Sequence, residues 1–272
     1  ENLIDFDDMI HGAVNLLRIV LAYAMCDWSL RLVGVWATIQ GIANLSDGAL
    51  LYRFYRCGPW LGSLIGQMLQ QRNSTLAFLQ GVRLRIVDAT VISKPGSTGT
   101  DWRVHLSFDL GRVCLDGIEV TDARGGESLA RFAPRADEIY VADRGYCAAN
   151  GLGSLLCRLG RLVVRINWHN LPLRTECGQR LDLTHWLKRL STITEQTVQI
   201  STTQGDFWVR LIACPLPAQQ AERARERVVK QARKKGRPVS YPTWLAAGFV
   251  ILVTNLPHDT WEASRVIYLY RL

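Results

Sequence analysis

Read for hydrophobic period, the chain changes texture once. Between residues 10 and 80 apolar positions recur at helical spacing, as Leu16, Leu17, Val20, Leu21 and Ala24, then as Leu32, Val35, Trp36 and Ile39. Asn44–Gly48 reads as a turn able to cap the next helix, where Leu50, Leu51 and Phe54 face one way and Arg53 and Arg56 another. Gly58-Pro59 ends that helix. From Arg83 the pattern alternates and is rich in β-branched residues, predicting strands over Arg83–Ile92, Arg103–Leu110 and Val113–Thr121. The first two flank a turn at Pro95–Gly99, and the last two flank Leu110–Arg112.

Gly125-Gly126-Glu127-Ser128 then opens a short helix, with Glu127 as a favourable charge at its N-terminus. Glu138–Ala142 is an apolar strand, a helix comes next over about 150–159, and Arg161–Asn167 is the strand after it. Hairpins followed by a β-α-β unit predict an α/β fold, a mixed sheet with helices packed on it. Residues 168–247 read as a β-rich insertion, with strands Thr197–Ser201 and Phe207–Ala213, a helix near 184–190 and a basic helix Glu222–Arg237. Residues 248–255 return to a buried-strand pattern, and Asp259 or Thr260 is placed to cap a final helix. The resulting division is 1–80 helical, 81–167 core, 168–247 insertion and 248–272 return to the core.

Composition adjusts this picture in three ways. Lys and Arg total 32 against 24 Asp and Glu, a net charge of +8, which favours polyanionic partners. Much of that surplus is local, because eight basic residues between Glu222 and Arg237 stand against Glu222 and Glu226 alone. A solvated face is the ordinary meaning of a charge run; an imbalance this large favours tracking of phosphates by Arg227, Lys230, Arg233, Lys234, Lys235 and Arg237. The helices before residue 80 could serve the same backbone contact or act only as a cap on the core. Seven scattered cysteines leave no C-x-x-C spacing and fit a reducing compartment. The uncharged run Tyr241–His258 is interrupted by Pro242 and Pro257, so a membrane partner is not expected. Acidic Asp5, Asp7 and Asp8 stand where a secretory signal would be positive, giving a cytoplasmic, nucleoid-associated reading.

Two acids carry the candidate chemistry. Asp88 lies within an apolar strand, where a buried carboxylate is costly unless paired or metal-bound. Asp143 ends Ile139–Ala142, and strand ends of this kind carry ligand groups in α/β sheets. Each alone is as readily structural, since Asp143 could simply cap the next helix or pair with Arg144. Side by side they would repel unless a cation sat between them, and Mg²⁺ accepts such oxygens. Arg103 and His105 alternate onto one strand face and could contact DNA nearby, although a strand histidine is more often structural. Trp168 could stack on a base, with packing the favoured alternative.

Five runs, in order, carry a resemblance: Val87–Thr90, Gly99–His105, Val120–Ser128, Ala142–Tyr146 and Arg265–Tyr270. Together they resemble bacterial insertion-sequence transposases of the cut-and-paste, RNase H-like DDE class, whose last motif reads Y-x-x-R-x-x-x-E-x-x-x-x-x-x-K. The resemblance covers nearly the whole chain. It implies that Asp88 and Asp143 are the first two catalytic acids, holding Mg²⁺ or Mn²⁺ for attack on a phosphodiester. It also implies that Tyr270 opens the last motif and contacts phosphate, and that double-stranded DNA, as transposon ends and target, is the partner of a synaptic homodimer. Spacing places the motif's Arg one position beyond Leu272 and its Glu four further. The chain opens on Glu1 rather than Met and has no helix stop before Leu272, so the expectation is a transposase cut short, with an incomplete acid set. The competing readings are a non-catalytic DNA-binding or inhibitory remnant and an unrelated RNase H-like nuclease. Some such transposases hold a flipped base with an insertion tryptophan; Val250 stands at that position here, beside Phe249, which makes a hairpin route doubtful.

Overall fold

The computed structural model describes residues 10, 12–26, 28–71, 81–93, 96–112, 114–135, 137–167 and 171–271. Trp168, with its neighbours His169 and Asn170, lies outside the described residues, as do Asp5, Asp7, Asp8, Pro95 and Val113. The chain forms two compact units, Glu1–Gln80 and Gly81–Leu272.

The first unit is helical: α1 (Ala13–Met25), α2 (Leu30–Ile39), α3 (Asp47–Arg56) and α4 (Gly58–Gln71). Ser29 and Ser46 cap α2 and α3, their hydroxyls accepting from the amides of Leu32 and Ala49. Pro59 therefore opens α4 as much as it closes α3, a position its missing N–H tolerates. The core gathers Leu16, Ile19, Val33, Ala37, Ile42 and Leu50. The buried face of α2 thus runs through Val33 and Ala37, while Leu32, Val35 and Ile39 are exposed. The reason is steric. A Cβ on Gly34 would lie 3.3 Å from the Leu45 carbonyl oxygen, so the glycine permits a close backbone approach on that side.

The second unit is built on one sheet. Its strands are β1 (Arg83–Ile92), β2 (Trp102–Asp109), β3 (Cys114–Asp122), β4 (Glu138–Ala142), β5 (Arg161–Arg165), β6 (Leu173–Arg174), β7 (Thr194–Thr202), β8 (Gly205–Pro215) and β9 (Phe249–Thr254). They lie in the order β3-β2-β1-β4-β5-β9-β8-β7-β6. β1, β4 and β5 are mutually parallel, and the other neighbours are antiparallel. This mixed α/β architecture is consistent with an RNase H-like fold. The strands of the expected insertion do not form a sheet of their own; they extend the core sheet through β9, which pairs with both β5 and β8.

The helices are α5 (Ala149–Leu156), α6 (Leu183–Lys188), α7 (Ala218–Lys234), α8 (Tyr241–Ala246) and α9 (Ala263–Arg271). One sheet face packs Val87, Tyr140, Ala142, Leu162, Val164, Leu211 and Val253 against Leu152 and Leu155 of α5. α9 begins at Ala263, three residues beyond Thr260, with Glu262 directly before it. Among the described residues no helix is long and apolar enough to cross a membrane.

The β5–β9 joint is fixed by side chains as well as ladder bonds. Asn255 accepts from the Leu162 amide at 2.9 Å and donates to the Gly160 carbonyl at 2.8 Å, while Thr254 Oγ1 donates to the Leu162 carbonyl at 2.7 Å. Asn255→Ala removes both bonds and leaves a backbone N–H and C=O unpaired. The expected loss is about 1–3 kcal/mol, measurable by urea denaturation.

Candidate active site

Parallel pairing brings the two acids together. β1 and β4 run in register from Arg83 opposite Glu138 to Val87 opposite Ala142, so the next step sets Asp88 beside Asp143. Neighbouring strands lie about 4.8 Å apart, and alternation sends both side chains to the same side of the sheet. Both residues are exposed. The burial cost that singles out Asp88 in the sequence is therefore not incurred, and the two carboxylates stand at strand ends open to water.

Each carboxylate is locally oriented. Asp88 Oδ1 accepts from the Ala89 amide at 2.8 Å. Asp143 Oδ1 accepts from the Gly145 amide at 2.8 Å and caps a 3-10 turn, Arg144–Tyr146. A capping role for Asp143 thus coexists with its place beside Asp88. Behind the pair, Tyr146 is fully buried, with its hydroxyl 3.5 Å from His105 Nδ1. His105 Nε2 lies 3.2 Å from Thr121 Oγ1. Burial, with Arg131 nearby, lowers the His105 pKa; burial, with Glu127, Asp88 and Asp143 nearby, raises that of Tyr146.

His105 is 0% exposed, so the surface contact expected of it is not available. Its ring lies between Tyr146 and Thr121 and buttresses Tyr146 instead. Arg103, on the same face, donates to the Gly125 carbonyl at 3.0 Å and is half-buried.

A cleft of about 430 Å³ opens beside Asp143, lined by Arg144, Arg165, Asn167, Arg227, Gln231 and Phe249 among others. Three guanidinium groups thus share one cleft with a candidate metal ligand, and planar forks of this kind match phosphate oxygens. Tyr270 on α9 hydrogen-bonds Arg165, and burial, opposed by that arginine, raises its phenol pKa. Arg165 is a site residue that the sequence reading misses. The available signal is position, since it ends β5 one strand over from Asp143.

The rest of the basic helix divides. Lys230 and Arg233 line a second groove together with Arg225, whose guanidinium sits 4.2 Å over the ring of Trp244. Lys234 and Lys235 mark the end of α7, and Arg237 lies just past it, all exposed. The structure therefore brings Asp88, Asp143, Arg144, Arg227, Arg165 and Tyr270 into one region. Among the described residues no three of His, Cys, Asp and Glu form a ready-made metal cage.

The relatives of the chain accord with this geometry. It is 39% identical over 271 residues to the protein named transposase InsL of insertion sequence element IS186A, from Escherichia coli strain K12, covering 97% of this chain and 73% of the relative. The transposase for insertion sequence element IS421, also from Escherichia coli, is 39% identical over 272 residues with the same coverage. The chain belongs to the bacterial insertion-sequence transposases. No family model matches it. Within this transposase the relationship spans both compact units, so it takes in the helical first unit as well as the sheet that carries Asp88 and Asp143.

Proposed function

We propose that this transposase acts on double-stranded DNA, cutting and joining phosphodiesters at transposon ends and target, with Asp88 and Asp143 as its metal-binding acids. The observation that carries the reading is the β1–β4 register, which sets the two carboxylates on neighbouring strand ends beside an arginine-lined cleft. The donor set fits Mg²⁺ or Mn²⁺: hard oxygen ligands from two carboxylates, with solvent-open space left for water and phosphate. When bound, the metal supplies Lewis-acid activation of water or a DNA 3′-hydroxyl and neutralises charge on the phosphate. Arg144, Arg165 and Arg227 hold the phosphate beside the acids, and Tyr270 orients Arg165. The exposed bases of α7 and beyond, Lys230, Arg233, Lys234, Lys235 and Arg237, track the flanking backbone. A homodimer pairing two element ends, and residence on the nucleoid, belong to the same reading.

The test of DNA binding is its salt dependence. Replacing Arg227, Lys230 and Arg233 by glutamine should flatten the slope of log K against log salt by about 0.9 for each phosphate no longer neutralised. Fluorescence anisotropy with a duplex across a salt series measures it. An unchanged slope would remove α7 from the DNA-binding surface.

A further inference from the structure

We propose that Glu127 is a positioning carboxylate of this site, bracing the Asp143 turn and adding a third negative charge that strengthens divalent-cation binding; this rests on the Asp88–Asp143 reading above. The sequence suggests a plainer role, a favourable charge at a helix start. The structure removes it. Ser128 is the cap, its hydroxyl accepting from the Ala130 amide at 3.2 Å, and no acidic residue lies in the first turn of the Leu129–Arg131 segment. Glu127 precedes the cap and points elsewhere.

Where it points is fixed by Gly145. A Cβ built on that glycine would overlap Glu127 Oε2 and lie 3.1 Å from Asp143 Oδ1. The Glu127 carboxylate thus fills the place a side chain at 145 would take, against the turn that Asp143 caps. The loop that delivers it is clamped on consecutive carbonyls. Arg103 donates to Gly125 at 3.0 Å, and Arg131 donates to Gly126 at 3.1 Å while pairing with Glu119 at 2.6 Å.

The electrostatic surroundings agree. Glu127 is half-buried, and burial, then Asp143, raises its pKa, with Arg103 opposing and Asp88 adding to the rise. Three like charges gathered at one strand end repel one another, and a divalent cation relieves that repulsion. From that place Glu127 acts across Gly145 as a charge and a brace.

Calorimetric titration of the full chain with Mn²⁺ alone tests this. Glu127→Gln should weaken Mn²⁺ binding by about tenfold, the scale of outer-shell substitutions. Its Tm in metal-free buffer should stay unchanged or rise, because a repulsive charge is gone; a merely structural residue would lower it. Glu127→Asp, which keeps the charge, should fall between wild type and the amide. Gly145→Ala should weaken binding when Glu127 is present and do so less in the Glu127→Ala background. Wild-type affinity in Glu127→Gln, with binding lost in Asp88→Asn/Asp143→Asn, would overturn the proposal and leave the metal site standing. Wild-type affinity in that double variant would overturn the site itself.

Discussion

Glu138→Ala is expected to destabilise the second unit by about 3–5 kcal/mol, the cost of stranding a buried partner charge. Glu138 is 1% exposed and Arg85 7%. The pair is bidentate, Arg85 Nε to Glu138 Oε2 at 2.9 Å and Nη2 to Oε1 at 2.7 Å. The same guanidinium donates to Ser107 Oγ at 3.1 Å, pairs with Asp116 and lies over the Tyr140 ring. Burial opposes its charge, but the bond to Glu138 and its acidic neighbours outweigh that, and the Arg85 pKa is raised. Removing Glu138 takes away both of its bonds to the desolvated guanidinium and leaves Asp116 and Ser107 as the remaining partners, which puts the loss at the lower end of that range. Urea denaturation followed by circular dichroism should show the loss in full, whereas Arg85→Met with Glu138→Leu should recover most of it. A change below about 1 kcal/mol in the single variant would mean that water reaches the pair. The network matters to function because Arg83 opposite Glu138 begins the ladder that ends at Val87 opposite Ala142. Slippage at that end would part the two acids at the other.

The second large effect concerns those acids. Asp88→Asn and Asp143→Asn should each weaken Mn²⁺ binding by more than about 100-fold, since even outer-shell substitutions cost about 10–100-fold. The amides are well matched controls. Each keeps an oxygen able to accept from the Ala89 or Gly145 amide, and asparagine caps turns about as well as aspartate. Both positions are exposed, so stability should change by no more than about 0.5 kcal/mol. Calorimetry and thermal unfolding together separate lost binding from lost folding. Retained affinity in either variant would remove that residue from the site.

Much of the core is readable from period and composition. The alternation around Asp88 and the short apolar run before Asp143 are enough to find β1 and β4. What one-dimensional pattern lacks is the choice between equivalent faces. In α2 nearly every position is apolar, so period does not separate Val33 and Ala37 from Leu32, Val35 and Ile39; backbone approach at Gly34 decides it. His105 and Arg103 fall on a common face by alternation, but only Tyr146 and the loop at Gly125, which meet those side chains, turn that face inward. Arg165, and the place of Glu127 beside the Asp143 turn, escape a sequence reading because each gains its meaning from a residue distant in sequence, Tyr270 and Gly145 respectively.

Anomalous scattering from a crystal of the chain soaked in Mn²⁺ tests the central claim most directly. The account predicts a peak at the C-terminal ends of β1 and β4, within about 2.0–2.3 Å of a carboxylate oxygen from Asp88 and of one from Asp143. A peak bound to only one of them, or manganese sites confined to other parts of the chain, would contradict it.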